Sequence, residues 1–153
     1  MLSRDRRGLE GLPLKLLIIS LLMSIAFPLV IDSLEQYEET VSMASVRSQA
    51  CDIKAAATTA YLAGPGNVRT VRVELAQGGG IVQIELGGIC QDPASMKLSC
   101  VVGHQATEVV MDSPPLNIVT KGGARICIES PGATIALECV EIDDRIAVLA
   151  MVL

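Results

Sequence analysis

Arg6-Arg7-Gly8-Leu9-Glu10-Gly11, followed by a nearly unbroken apolar run from Leu12 to Ile31, is the stretch that decides the fold. An α-helix rises 1.5 Å per residue, so about 20 such residues cross the roughly 30 Å hydrocarbon core of a bilayer. Arg4, Arg6 and Arg7 stand ahead of Gly8 against Asp5, whereas Asp32, Glu35, Glu38 and Glu39 come directly behind the run. Basic residues stay on the cytoplasmic side. The expected arrangement is a single pass through the cytoplasmic membrane, N-terminus inside and everything downstream outside. A removable secretory signal has a shorter apolar core, about 7–15 residues, and a small-residue cleavage site just after it. Here the polar segment from Asp32 to Glu39 continues the helix, and Ser42-Met43-Ala44 lies too far downstream. The run is expected to stay on the protein, in contact with membrane lipid. Lys15 is accommodated by snorkelling its ammonium toward the cytoplasmic headgroups.

The helix is expected to outlast the membrane. Leu34, Tyr37, Val41, Ala44, Cys51, Ala55 and Leu62 recur at three-and-four spacing, with Ser48 and Thr58 filling the gaps. Such spacing marks one face of a helix, and its small residues suit close packing against another helix or a sheet. Gly64-Pro65-Gly66-Asn67 ends the helix, because glycine suits the C-cap and proline cannot continue it. A bend is expected at Pro28, which removes a backbone hydrogen bond and crowds the preceding turn.

Beyond Asn67 the period changes from helix to strand. Val71, Val73 and Leu75 alternate on one face, and Val82, Ile84 and Leu86 on another, with Gly78-Gly79-Gly80 expected to turn a hairpin between them. Further strands are expected over Met96–Val102, Glu108–Met111, Leu116–Val119, Ala124–Glu129, Thr134–Ile142 and Ile146–Val152, the last of them buried. Short strands punctuated by Gly, Pro and Asp point to an antiparallel sandwich or sheet. The fold class is therefore α+β: a long N-terminal transmembrane helix, then a small β domain. The segments are a basic leader over 1–8, a membrane helix over 9–31, its extracellular continuation over 32–63 and the all-β domain over 68–153.

The chain holds 153 residues, one Phe, two Tyr and no Trp, so its core must be aliphatic. A net charge of −5 and the scarcity of aromatic rings exclude nucleic acid as a partner, which needs a basic footprint. The sequence also holds five cysteines, Cys51, Cys90, Cys100, Cys127 and Cys139. An oxidising exterior permits disulfides among Cys90, Cys100, Cys127 and Cys139. Alternation turns Cys100 and Cys139 inward and Cys127 outward, which disfavours a bridge across an Ile126/Thr134 hairpin and leaves Cys90–Cys100 open. Free thiols packed as small apolar groups are the other reading. Cys51, on the helix stripe, is read as an unpaired packing residue. No Cys-x-x-Cys pair marks a zinc site, His104 falls in a turn without triad partners, and Asp143-Asp144 reads as a turn in preference to a calcium site. No catalytic group, metal or cofactor is assigned.

The basic head, Gly8, Glu10, the apolar helix and the small β domain together resemble archaeal type IV pilin-like proteins, whose leader is a prepilin-type, class III signal peptide. The resemblance implies that a prepilin-type peptidase cuts between Gly8 and Leu9. It also implies that the retained helix packs against other pilin-like subunits, with Glu10 as the acid that pairs with a neighbour's N-terminal amine. Many pilins carry that acid at the fifth mature position, which here is Pro13. The shift favours a minor, pilin-like component over a bulk filament subunit. The alternative is a signal-anchored extracellular β domain that binds the cell envelope without assembling.

Overall fold

The computed structural model describes residues 7–75, 81–90, 92–129 and 131–153, and of residues 7–12 only the backbone. Helix α1 runs from Arg7 to Ala63 and is continuous through Pro13 and Pro28. The chain divides into two units, one ending at Glu38 and one spanning Glu39–Leu153. In the first, Leu14–Ile31 is exposed along its whole length, and its apolar window has a mean hydropathy of 2.5. Among the described residues this is one helix long and apolar enough to cross a membrane.

In the second unit the helix buries Val46, Ala50, Ile53, Ala57 and Ala60. These positions are four, three, four and three residues apart, one face of an α-helix. Val46, Ala50, Ile53 and Ala57 join the inward residues of both sheets in a single core. The stripe expected from the sequence lies on the other side: Val41, Ala44, Cys51, Ala55 and Leu62 are exposed, as are Leu34 and Tyr37 of the first unit. Two stripes of equal spacing compete here, and the one carrying Ile53 and Val46 covers the sheets. Gly64, in the left-handed conformation at φ +89°, donates its N–H to the Tyr61 carbonyl. Asn67 Nδ2 then donates to the carbonyls of Ala63 (2.7 Å) and Gly64 (3.0 Å), which satisfies the open helix end where the sequence places it.

Among the described residues eight strands follow: β1 (Val68–Glu74), β2 (Val82–Leu86), β3 (Lys97–Val102), β4 (Gln105–Val110), β5 (Ile118–Thr120), β6 (Ile126–Glu129), β7 (Gly132–Ile142) and β8 (Arg145–Val152). They form two four-stranded sheets, ordered β1-β7-β8-β5 and β4-β3-β2-β6. The alternation holds: Val73, Leu75, Val82, Ile84 and Leu86 are buried, and β8 places Ala147, Val148 and Ala150 in the interior. Pairing departs from expectation in three places. Strands β1 and β2 belong to different sheets, so the segment containing Gly78-Gly79-Gly80, itself outside the described residues, does not close a hairpin. Strands β6 and β7 are likewise in different sheets, so there is no Ile126/Thr134 hairpin. Strand β5 pairs parallel to β8, with Ile118 opposite Val148. Periodicity sets which side chains point inward, but inward-facing strands of either sheet read alike.

The true hairpins carry recognisable turns. Asp143 and Asp144, at φ 51° and 59°, form the two-residue loop between Ile142 and Arg145. Two consecutive positive φ angles match the right-handed twist of the strands, and Asp tolerates that conformation. At the start of β7, Gly132 faces the Val73 carbonyl so closely that no Cβ fits.

Candidate assembly surface

In and just beyond the membrane-competent part of α1, serine hydroxyls fold back onto the helix. Ser20 Oγ donates to the Leu17 carbonyl (2.9 Å), Ser24 Oγ to Leu21 (2.8 Å) and Ser33 Oγ to Leu29 (2.7 Å). Lipid offers no hydrogen bonds, so hydroxyls that fold back onto the helix are compatible with burial there. Gly8, Leu9 and Glu10 fall within the backbone of α1, but their side chains lie outside the described residues.

In the second unit α1 has a covered face and an open one. The open face carries Val41 (51% exposed) and Leu62 (71%), with the smaller Ala44, Ser48, Cys51 and Ala55 between them. At 100° per residue these positions lie opposite Val46, Ala50, Ile53, Ala57 and Ala60. On one side the open face borders a shallow groove of about 510 Å³ between Thr40, Arg47, Ser48 and Cys51 of the helix and Gln105 of β4. Gln105 Nε2 donates to Glu39 Oε2 at 3.4 Å across the rim. Lower on the same flank, Lys54 Nζ reaches the Val110 carbonyl (2.7 Å) and Asp112 Oδ1 (2.9 Å). That hydrogen bond, with the lysine charge behind it, holds the Asp112 carboxyl below its usual range.

The cysteines sit where alternation places them, and all five are free thiols. Cys100 is fully buried opposite Ile84, and burial pushes its thiol up to about 11, with Cys51 raising it further and Arg47 opposing. Cys139 is buried in β7 beneath the Tyr61 carbonyl, and its thiol is also raised by burial. Cys127 points outward, its Sγ 3.6 Å from Gln83 Oε1. Packing around the sulfur raises its thiol, and the Glu129 and Glu85 carboxylates add to the effect. Cys90 is half-buried, and no bond joins it to Cys100. Cys51 is a free thiol as expected, and it is exposed on the open face, so within this chain it is not buried as a packing residue.

His104 is exposed in the two-residue turn between Val102 and Gln105. Among the described residues no three His, Cys, Asp or Glu side chains stand together as a metal site. The outer face of the β4-β3-β2-β6 sheet carries ion pairs, Lys97–Glu108 at 2.7 Å and Arg125–Glu85 at 3.0 Å. The surface most unlike a solvated exterior is therefore the helix. No family model, no curated protein and no solved structure matches this chain.

Proposed function

We propose that the chain is a structural, pilin-like subunit of the minor kind, held in the cytoplasmic membrane by α1 and displaying its β domain outside the cell. The observation that carries this reading is a single continuous helix: apolar and wholly exposed over Leu14–Ile31, yet part of a β-domain core from Val46 to Ala57. A helix that is apolar all round needs an apolar solvent, either lipid or sister helices. Its retention on the mature protein gives one element both roles, first as anchor and then as packing rod. The mechanism is association, with no reaction performed on a substrate.

On this reading a prepilin-type peptidase removes residues 1–8 between Gly8 and Leu9, and other pilin-like subunits meet the helix laterally. Glu10, two residues into the mature chain, would answer a partner's ammonium near the membrane edge, where an unpaired carboxylate is costly. N-terminal sequencing of protein recovered from native membranes tests the proposal. A chain beginning at Leu9 is the expected result. A mature protein that retains Met1 overturns the pilin-like reading and leaves the signal-anchored domain, for which Pro13 in place of an acid is the favouring observation.

A further inference from the structure

The open face of α1 has the register of a two-stranded seam. With Val41, Ser48, Ala55 and Leu62 at one core position of a heptad, Ala44, Cys51 and Thr58 fall at the other. The helix thus shows two repeats at once, one spent on its own sheets and one left uncovered. The flanks of the uncovered repeat are charged in a particular way. Arg47 and Asp52 are both exposed, lie on opposite sides of the seam and make no ion pair within the chain among the described residues. They are five residues apart, the separation at which flanking residues of two parallel, in-register helices meet across a seam. In such a pair Arg47 of each copy faces Asp52 of the other, and the pairing occurs twice by symmetry.

From this complementarity we infer that residues 41–62 of α1 dock against the same residues of a second copy of this chain, parallel and in register. The inference rests on the membrane-anchor part of the proposed function, because one orientation in the bilayer makes every copy parallel. It does not require filament assembly. The size pattern fits the same geometry. Ala44, Ser48, Cys51 and Ala55 let two backbones approach closely at the middle, while Val41 and Leu62 supply apolar contact at the ends. Cys51 then stands opposite its own counterpart at the centre of the seam, where a self-directed thiol probe reports register directly.

The test uses the full chain in native membranes, with carbonate-resistant membrane insertion scored separately so that loss of the anchor is not mistaken for loss of the pair. Cys90→Ser and Cys127→Ser remove the other accessible thiols, and a short bismaleimide links two thiols by adding one to each of its double bonds. A covalent dimer of this chain is expected, and Cys51→Ala abolishes it. On the Cys51→Ala background, Ser48→Cys restores the dimer. Gln49→Cys, about 130° from the seam by the helical period, does not. Arg47→Glu lowers the yield roughly threefold to tenfold, the size of two exposed ion pairs turned repulsive, and Arg47→Glu with Asp52→Arg restores it. The inference is overturned if membrane-inserted protein gives no Cys51 dimer, or if Gln49→Cys links as well as Ser48→Cys. A link from Cys51 to a different protein, or failure of the charge swap to rescue, overturns it equally.

Discussion

The two faces of α1 between Glu39 and Ala63 are built from nearly the same residues and meet opposite fates. One presents Val46, Ala50, Ile53, Ala57 and Ala60, the other Val41, Ala44, Ser48, Cys51, Ala55 and Leu62. Both are spaced by threes and fours, and both are rich in alanine. What separates them is where the bulk sits. Ile53 lies mid-face and, with Val46 toward one end, fills the space over the two sheets, whereas the outward face keeps its large side chains only at the ends and its small ones in the middle. Large side chains fill the space between a helix and the sheets it covers, and small ones let a second helix approach closely. The contrast separates a face that stabilises the monomer from one whose contacts require a second molecule.

The sharpest way to break that contrast is to truncate matching positions on the two faces. Ile53 is fully buried, so Ile53→Ala leaves a cavity under the helix and is expected to cost about 2–5 kcal/mol. Val41→Ala removes exposed surface and is expected to stay within about 0.5 kcal/mol. Urea unfolding of the full chain in mild detergent measures both. Equal costs for the two variants would mean that the outward face is already covered in the monomer, and the distinction would collapse.

How the sequence reads differs between these faces for a physical reason. Periodicity locates helical faces but is silent on which one is buried when a chain carries two, as the Val41–Leu62 stripe shows. The helix end at Gly64 and Asn67, the inward sides of β1, β2 and β3, and the outward turn of Cys127 were all legible, because each follows from a local rule of cap, alternation or parity. Sheet membership was not. Gly78-Gly79-Gly80 looks like a hairpin turn, yet β1 pairs with β7 and β2 with β3 and β6. The partner of a strand is chosen by packing across the whole core, and no residue of the strand records it. The Val41–Leu62 stripe reads as a packing face for another helix or a sheet, and in this chain it does not cover the sheets. The signal that distinguishes it, Arg47 and Asp52 across five positions, acquires meaning only once the opposite face is known to be occupied.

The cysteines sharpen the same contrast chemically and with a smaller effect. Cys51 is exposed on the open face, and Cys100 is fully buried in the core, close enough for the two to influence one another. A maleimide at neutral pH is expected to label Cys51 in the folded protein and to reach Cys100 only after unfolding. Burial raises the Cys100 thiol from 9.0 to about 11, so the unfolded chain gives up this proton first. Between those values the folded state holds more protons, and stability falls as pH rises, with no contribution from this group below 9. The stability difference between wild type and Cys100→Ala should therefore shrink as pH climbs from 9 to 11 and stay level below it. A difference that is flat across that range would place Cys100 in contact with water.

The smallest effect belongs to the flank between the two faces, where Lys54 bonds the Val110 carbonyl and Asp112. Asp112 is mostly exposed, and an ion pair in that setting is screened by water and salt. Its folded carboxyl is held below the ordinary 3.8 by the Lys54 hydrogen bond, so whatever the pair contributes is present above that pH and is lost as pH falls through the lowered value. Asp112→Asn should then be marginally less stable than wild type at neutral pH in low salt. The gap should close on acidification below the carboxylate range, and also on adding salt at pH 7. Because Lys54 keeps its bond to the Val110 carbonyl in this variant, the helix remains pinned to the β4 end of the sheet. A loss from Asp112→Asn comparable to that from Ile53→Ala would show that the flank, and not the wedge of Ile53 and Val46, fixes which face of α1 turns toward the core.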